Sequence, residues 1–254
     1  MTRDYVLDQG FGEERKRLSG MESLWDSGSQ ALLDELGLGS GSRCLEVGAG
    51  GGSMVEWMAS RGAKVTAIDI DTRFIESLAS DSIEVRRVDL RADPLPQAEF
   101  DIVHARLVLE HLSDRRQILD RLVATLKRGG WMVIEDYDWT NYGFEDGSRG
   151  TSDIGDAIFE FMAAAGFERD YGRRVVGDME AAGLTDLRGE GRARLIDSTS
   201  PGFDFFRLSF ESLRDAIVKA GLLSPEEADA ATTVFDEDRR LLTPMMMAGI
   251  GRRG

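Results

Sequence analysis

Cysteine is almost missing from this chain: Cys44 stands alone among 254 residues. No intrachain disulfide can form, and a reducing, cytoplasmic location is the expected one. Lysine is scarce too, at positions 16, 64, 127 and 219 only, and acidic residues outnumber basic ones by 46 to 31. With a net charge of −15 the chain repels a phosphate backbone. The basic clusters, Glu13–Arg17 and Arg252–Arg253, are too short to override that field, so nucleic acid is not an expected partner. No apolar run reaches the length of a membrane span, and the opening MTRDYVLDQG has no signal-peptide core. No membrane is expected, and no metal. Internal repeats and low-complexity tracts are also missing, which leaves a monomer or a homodimer of an ordinary globular chain.

What is present is an alternation. From Arg43 onward short apolar runs and amphipathic stretches take turns. Strands are predicted at Arg43–Val47, Lys64–Ile68, Glu84–Val88, Phe100–His104 and Trp131–Glu135. Helices are predicted at Ser53–Arg61, Thr72–Ala79 and Asp114–Leu126. Apolar strands separated by helices make an α/β fold with a parallel sheet covered on both faces. Ligands then bind at the carboxyl ends of the strands. Before this unit, Leu18, Met21, Leu24 and Trp25, then Leu32, Leu33 and Leu36, predict two amphipathic helices. After it, helices are predicted over Ile154–Ala165, Arg173–Ala182 and Phe203–Ala220, and one starting at Pro225. Thr185–Ile196 reads as extended, and Thr243–Ile250 as a last strand, with Met245, Met246 and Met247 in its core.

The stretch CLEVGAGGGS joins the first strand to the first helix. Gly48, Gly50 and Gly52 permit unusual backbone angles and close approach of a ligand to main-chain N–H groups. Such a loop serves dinucleotides and S-adenosylmethionine (SAM) alike. Glu46 tilts the balance, because a carboxylate there repels a pyrophosphate and favours an ammonium or sulfonium. Asp69, ending the second strand, is placed to accept from ribose hydroxyls, with Ile70 against the adenine. Asp71 reads better as a helix cap. Asp89, after the third strand, either receives an adenine amino group, with Leu90 covering the ring, or caps a turn before Pro94.

Taken together, CLEVGAGGGS, VTAID, VDL, LP-x-x-x-FDIVHARLVLEHL and LKRGGWMVIED resemble a class I SAM-dependent methyltransferase of the small-molecule, ubiquinone-biosynthesis-like subgroup. The resemblance covers residues 43–140. It implies a Rossmann-like, seven-stranded, mostly parallel sheet whose last strand is antiparallel, with helical lid segments. It divides the chain into an N-terminal lid over 1–38 and a SAM-binding domain over 39–254, with a helical insertion at about 198–242 that helps build the acceptor pocket. It implies that Glu46 and the loop Gly48, Ala49, Gly50 and Gly52 hold the methionine part and Asp69 the ribose. Ile70, Asp89 and Leu90 then surround the adenine, and the main chain at His104 and Ala105 receives the SAM amino group. The product is S-adenosylhomocysteine (SAH).

The acceptor side follows less directly. By the same resemblance His111 and Asp136 match a histidine and a strand-end aspartate used for proton removal. His104, nearer the methyl group in the family pattern, competes with them. Each has a plain structural alternative, and a dedicated base is optional, since SAM carries an activated methyl group. Tyr137, Trp139, Phe206 and Phe210, with Phe203 and Phe205, form a candidate apolar wall for an aromatic or polyketide-like small molecule, or simply hold lid helices together. Tyr5 and Trp25 are expected near the cofactor. No N/D-P-P-Y/F motif follows the fourth strand, which turns the reading away from amino-methylating enzymes of DNA. The expected activity is O-methylation of a small, secondary-metabolite-type acceptor. A SAM-binding protein catalysing another reaction, such as a cyclisation, is the alternative; a NAD-dependent oxidoreductase is disfavoured by Glu46.

Overall fold

The computed structural model describes residues 12–145, 152–235 and 239–254, with side chains described from 155 in the second segment. Five strands follow the predicted runs: β1 (Arg43–Val47), β2 (Lys64–Asp69), β3 (Ile83–Arg87), β4 (Phe100–Arg106) and β5 (Leu126–Asp138). In β1 and β4 nearly every residue is buried, the pattern of a central strand packed on both faces. The sheet runs β3-β2-β1-β4-β5-β10-β7, with β7 at Leu184–Arg192 and β10 at Met245–Arg253. The strand β10 is antiparallel to both neighbours and opposes Asp136 with Met247. The expected architecture, a mostly parallel seven-stranded sheet with its last strand reversed, is therefore the one observed.

One face of the sheet packs on α3 (Arg115–Thr125) and α5 (Val175–Ala181) through Ile118, Leu122, Val175 and Met179. The other packs on α1 (Glu14–Glu35) and α2 (Ser53–Ser60) through Leu32, Leu33, Val55 and Met58. Above the carboxyl ends lies a roof. It contains the front half of α1, α4 (Ser152–Ala163), α6 (Phe203–Lys219), α7 (Pro225–Val234) and a small sheet. That sheet joins β6 (Gly143–Phe144), β8 (Leu195–Ile196) and β9 (Leu241–Leu242) in the order β6-β9-β8. The start of α7 has a full capping box, with Ser224 and Glu227 each receiving the other's backbone N–H.

Three local readings change. The two helices expected before Arg43 are one continuous α1 of 22 residues. Gly28 does not break it, because Gly28 is where Arg192 of β7 crosses beneath, and a side chain there would collide with that guanidinium. Thr72–Ala79 supplies only a short 3-10 turn at Glu76–Leu78, and Asp71 accepts from Arg73 N–H in a local turn rather than capping a helix. The extended stretch after Gly183 divides: β7 stays in the main sheet and β8 leaves for the small one. Tyr5 lies outside the described residues. Among the described residues no helix is long and apolar enough to cross a membrane.

Candidate active site

In the G-x-G-x-G turn, Gly48, Gly50 and Gly52 all have positive φ, at 67°, 53° and 90°, the region that side chains other than glycine rarely occupy. A Cβ on Gly48 would also strike the Val108 side chain. Gly48 and Ala49 donate to the Ile68 carbonyl, at 2.9 and 3.2 Å, which folds the loop back over β2. Asp69 closes it: one carboxylate oxygen accepts from Gly50 N–H at 2.9 Å, the other from Asp71 N–H at 3.0 Å. Burial raises the Asp69 pKa, against the pull of those N–H groups.

A cavity opens at this point, across the carboxyl ends of β1, β2 and β4. Gly48, Gly50, Asp69, Ile70, Asp89 and Leu90 line one end of it. Ile70 is 44% exposed, an apolar side chain standing uncovered beside a carboxylate. Asp89 accepts from Arg91 N–H and so also orders its own turn. An acid for a diol, apolar faces for a flat ring and a glycine loop of exposed backbone together fit the adenosine and amino-acid parts of SAM. Ala49 and Gly52 do not reach the cavity wall. Gly52 faces Leu78 and Ile75 instead, and permits the turn into α2.

The carboxyl end of β4 lies two residues beyond the predicted one. His104 and Ala105 remain inside the sheet, paired with Glu46 and Val47 of β1, and the wall of the cavity is made by Arg106, Leu107 and Val108. Leu107 has φ 56°, a strained value for a branched side chain. Its N–H donates to the Glu135 carbonyl and the next N–H, that of Val108, to Asp136 Oδ1 at 3.1 Å.

Three candidate side chains, those of His104, Glu46 and Asp136, lie off the cavity wall. His104 is fully buried; its Nδ1 faces Glu46 Oε2 at 2.7 Å and its Nε2 faces Glu135 Oε2 at 2.9 Å. With both nitrogens engaged it cannot take a proton from an acceptor. Glu46 is drawn into the same line, beside the cavity but not on its wall. The line ends at Arg192, which pairs with the other oxygen of Glu135 and whose pKa burial pushes down to about 10. Asp136 is fully buried behind the wall, where it receives the turn after β4, and its second oxygen has no partner among the described residues.

His111 does reach the cavity. Its ring lies against Phe167, with centroids 5.2 Å apart. Burial first, then the charges of Arg17 and Arg115, push its pKa down to about 3, so it stays neutral and weakly basic near pH 7. Beside it is a residue the sequence reading passed over. Glu110, 2% exposed, lines the cavity and accepts from Tyr137 N–H at 2.8 Å. Burial and the neighbouring Asp136 hold its pKa far above the carboxylate range; burial holds Asp136 up as well. The signal was a glutamate next to a candidate base, masked by the more familiar histidine.

The other end of the cavity is aromatic. Tyr137, Trp139, Phe206 and Phe210 all line it, with Tyr142, Phe159 and Phe205 among them. Trp139 meets Tyr137, Tyr142 and Phe159 edge to face at 5.0–5.3 Å. Its Nε1 is buried with no partner among the described residues. Trp25 is not on the wall; its Nε1 donates to the Tyr137 hydroxyl at 2.7 Å and ties α1 to β5. Phe203 packs on Phe235 within the roof. Among the described residues no group of histidine, cysteine, aspartate and glutamate side chains could hold a metal ion.

Residues 45–134 match the family model described as a methyltransferase domain. Methyltransferase str2 of Strobilurus tenacellus is 32% identical over 155 residues, covering 59% of this chain and 56% of that one. A ubiquinone biosynthesis O-methyltransferase of Bordetella bronchiseptica is 35% identical over 102 residues, 37% of this chain and 42% of that one. The chain thus spans about half the length of the curated relatives it matches. The solved structure of Haemonchus contortus phosphoethanolamine N-methyltransferase 2 in complex with SAM superposes with a TM-score of 0.60 at 17% identity, over 100% of this chain and 60% of that one. Residues 45–134 are thus matched as a methyltransferase domain, and the motifs and sheet order around them are similar to those of class I SAM-dependent methyltransferases.

Proposed function

We propose that this protein transfers the methyl group of SAM to an oxygen of a small, flat, largely apolar acceptor of the secondary-metabolite type. The observation that carries the reading is one cavity with two unlike ends. Gly48, Gly50, Asp69 and Ile70 make the first, and Tyr137, Trp139, Phe206 and Phe210 make the second. Asp69 accepts from the ribose diol with the lone pairs that Gly50 and Asp71 leave unused. Ile70, Leu90 and Asp89 surround the adenine, while the chain from Arg106 to Val108 borders the methionine part. Glu46, held by His104, contributes through its charge from beside the wall. When bound, SAM supplies an electrophilic methyl group, so the protein's task is to align an oxygen with it and exclude water.

The aromatic end suits that task, because edge-to-face rings make a stiff slot for a planar body. Oxygen is favoured over nitrogen by the polar atoms in the slot. Trp139 Nε1 is a buried donor without a partner, and the Tyr137 hydroxyl, already accepting from Trp25, keeps its own proton to give. A hydroxyl oxygen has two lone pairs and can meet such a donor with one while the other attacks the methyl group, whereas a reacting amine has only the lone pair that attacks.

Calorimetry with SAM, SAH and NAD tests the cofactor, and NAD binding without SAM binding would sink the reading. Incubation of small-molecule extracts with methyl-labelled SAM tests the transfer. Label should enter an ether or ester of a planar compound; SAM bound without any transfer of label would point to the non-methylating alternative.

A further inference from the structure

Methyl transfer to a hydroxyl leaves a proton behind, and the two histidines are poorly placed to take it. His104 is locked between carboxylates and His111 is held neutral and weakly basic. Asp136 stands behind the wall. Glu110 is the remaining titratable group at this turn, and its position is unusual. It sits in the segment Leu107–His111, of which Leu107, Val108, Glu110 and His111 line the same cavity as the glycine loop and the aromatic side chains. Its carboxyl is nearly inaccessible to solvent and has no arginine or lysine ion pair among the described residues. Its neighbours do not supply a countercharge. Asp136 and Tyr137 of β5 face it, the first an acid and the second giving an N–H. His111 Nε2 is 3.5 Å away and uncharged. Arg115 of α3 acts from a distance and is itself bound to Glu168, whose N–H meets the Glu110 carbonyl. Arg17 of α1 is bound to Glu14, and Tyr171, ahead of α5, has a neutral hydroxyl beside Asp136.

A buried acid with no cation beside it, on the wall of a cavity whose ligand carries a positive charge, is an incomplete ion pair. We propose that Glu110 accepts the proton given up by the acceptor's hydroxyl, and that the cofactor's own positive charge is what readies it to do so. The proposal rests on the SAM reading above. In the free protein Glu110 is a neutral carboxylic acid. With a sulfonium in the cavity the carboxylate gains the partner it lacks, and Glu110 releases its proton to solvent. As the acceptor oxygen bonds to the methyl carbon, the carbon–sulfur bond breaks with its electron pair going to sulfur. Glu110 then takes the oxygen's proton. One positive and one negative charge disappear together, so no net charge is stranded in an apolar site at either end of the step.

This makes SAM and SAH differ in a way that needs no acceptor to observe. Calorimetry at pH 6.5 in buffers of different ionisation enthalpy counts the protons released on binding, and the cofactor's amino group stays charged there. Binding of SAM should release about one proton more than binding of SAH, and the SAM-to-SAH affinity ratio should rise about tenfold per pH unit in this range. In Glu110→Gln the extra proton should vanish and the ratio should fall about tenfold, with SAH affinity nearly unchanged. Asp136→Asn should keep the extra proton, and it serves as the comparison if Glu110→Gln folds poorly. Equal proton release for SAM and SAH in the unaltered protein overturns the proposal. So does an extra proton that survives Glu110→Gln or disappears in Asp136→Asn. Absence of SAM binding altogether would instead defeat the reading beneath it, which the proton count cannot do.

Discussion

Two groups of buried acids lie under the same turn of this protein, and they are built on opposite rules. The first runs across one face of the sheet: Glu46 on β1, His104 on β4, Glu135 on β5 and Arg192 on β7, with Ala248 of β10 opposite Glu135. Each of its carboxylates meets a nitrogen of a neighbouring strand or of β7. The second, Glu110 with Asp136, meets no arginine or lysine at ion-pair distance among the described residues, only the neutral His111 beside Glu110. Continuum arguments say that a completed buried ion chain adds little net stability but is costly to break. An uncompleted one holds its protons and is available for chemistry. The first group reads as framework, and in the second Glu110 is the member that reaches the cavity wall.

The largest effect should come from breaking the completed line. Glu135→Ala leaves His104 and Arg192 buried without their common partner, and a loss of about 3–5 kcal/mol in denaturant unfolding is expected. A loss below 1 kcal/mol would mean that the line is solvated and the contrast false. The second group should respond with the opposite sign. Asp136 has a folded pKa above its unfolded value, so its favourable contribution is complete below about pH 4 and is lost as pH rises through the folded value. Asp136→Asn removes that dependence and keeps an oxygen for Val108 N–H. Relative to the unaltered protein it should gain stability between pH 5 and 8, by up to roughly 1.4 kcal/mol per unit. A pH-independent difference would put Asp136 with the first group.

Smaller effects should separate cavity groups from both. Trp139→Phe deletes a donor that has no partner, so stability should change by less than about 1 kcal/mol while affinity for an oxygen-bearing acceptor falls about tenfold. Smallest of all in stability is Ile70→Ser, within about 0.5 kcal/mol because the side chain is already exposed. Its SAM affinity, measured by calorimetry, should still drop severalfold, and an unchanged affinity would move the adenine elsewhere.

The sequence made the sheet legible because central parallel strands are apolar on both faces, and β1, β2, β4 and β5 carry that mark plainly. Gly48, Gly50 and Asp69 were legible because a positive φ and a strand-end acid have few other uses in such a turn. The partner of Glu46 was not legible, for a reason that register alone reveals. It lies opposite His104 across β1 and β4, so its nearest partner comes from a strand some sixty residues on. A glutamate, a histidine and another glutamate embedded in three apolar strands were a signal that the line exists. Glu110 was hidden by local context, since nothing in LEH says that both of its polar residues turn inward. The single long α1 escaped because its apolar residues fall into two groups, Leu18–Trp25 and Leu32–Leu36, which pack against different partners, the first the roof and the second α2.

The roof joins chain segments that are made far apart in time. The rear half of α1 buries Leu32 and Leu33 with Val55 and Met58 of α2, which follow it closely. The front half, with Leu24 and Trp25, waits for Phe203, Phe205 and Phe206. At synthesis rates of about 5–20 residues per second that wait is on the order of 10–40 s. During it the first helix is anchored at one end and bare at the other. The aromatic end of the cavity is then among the last features to form, and the main sheet is itself unfinished until β10, made after the roof helices, enters between β5 and β7.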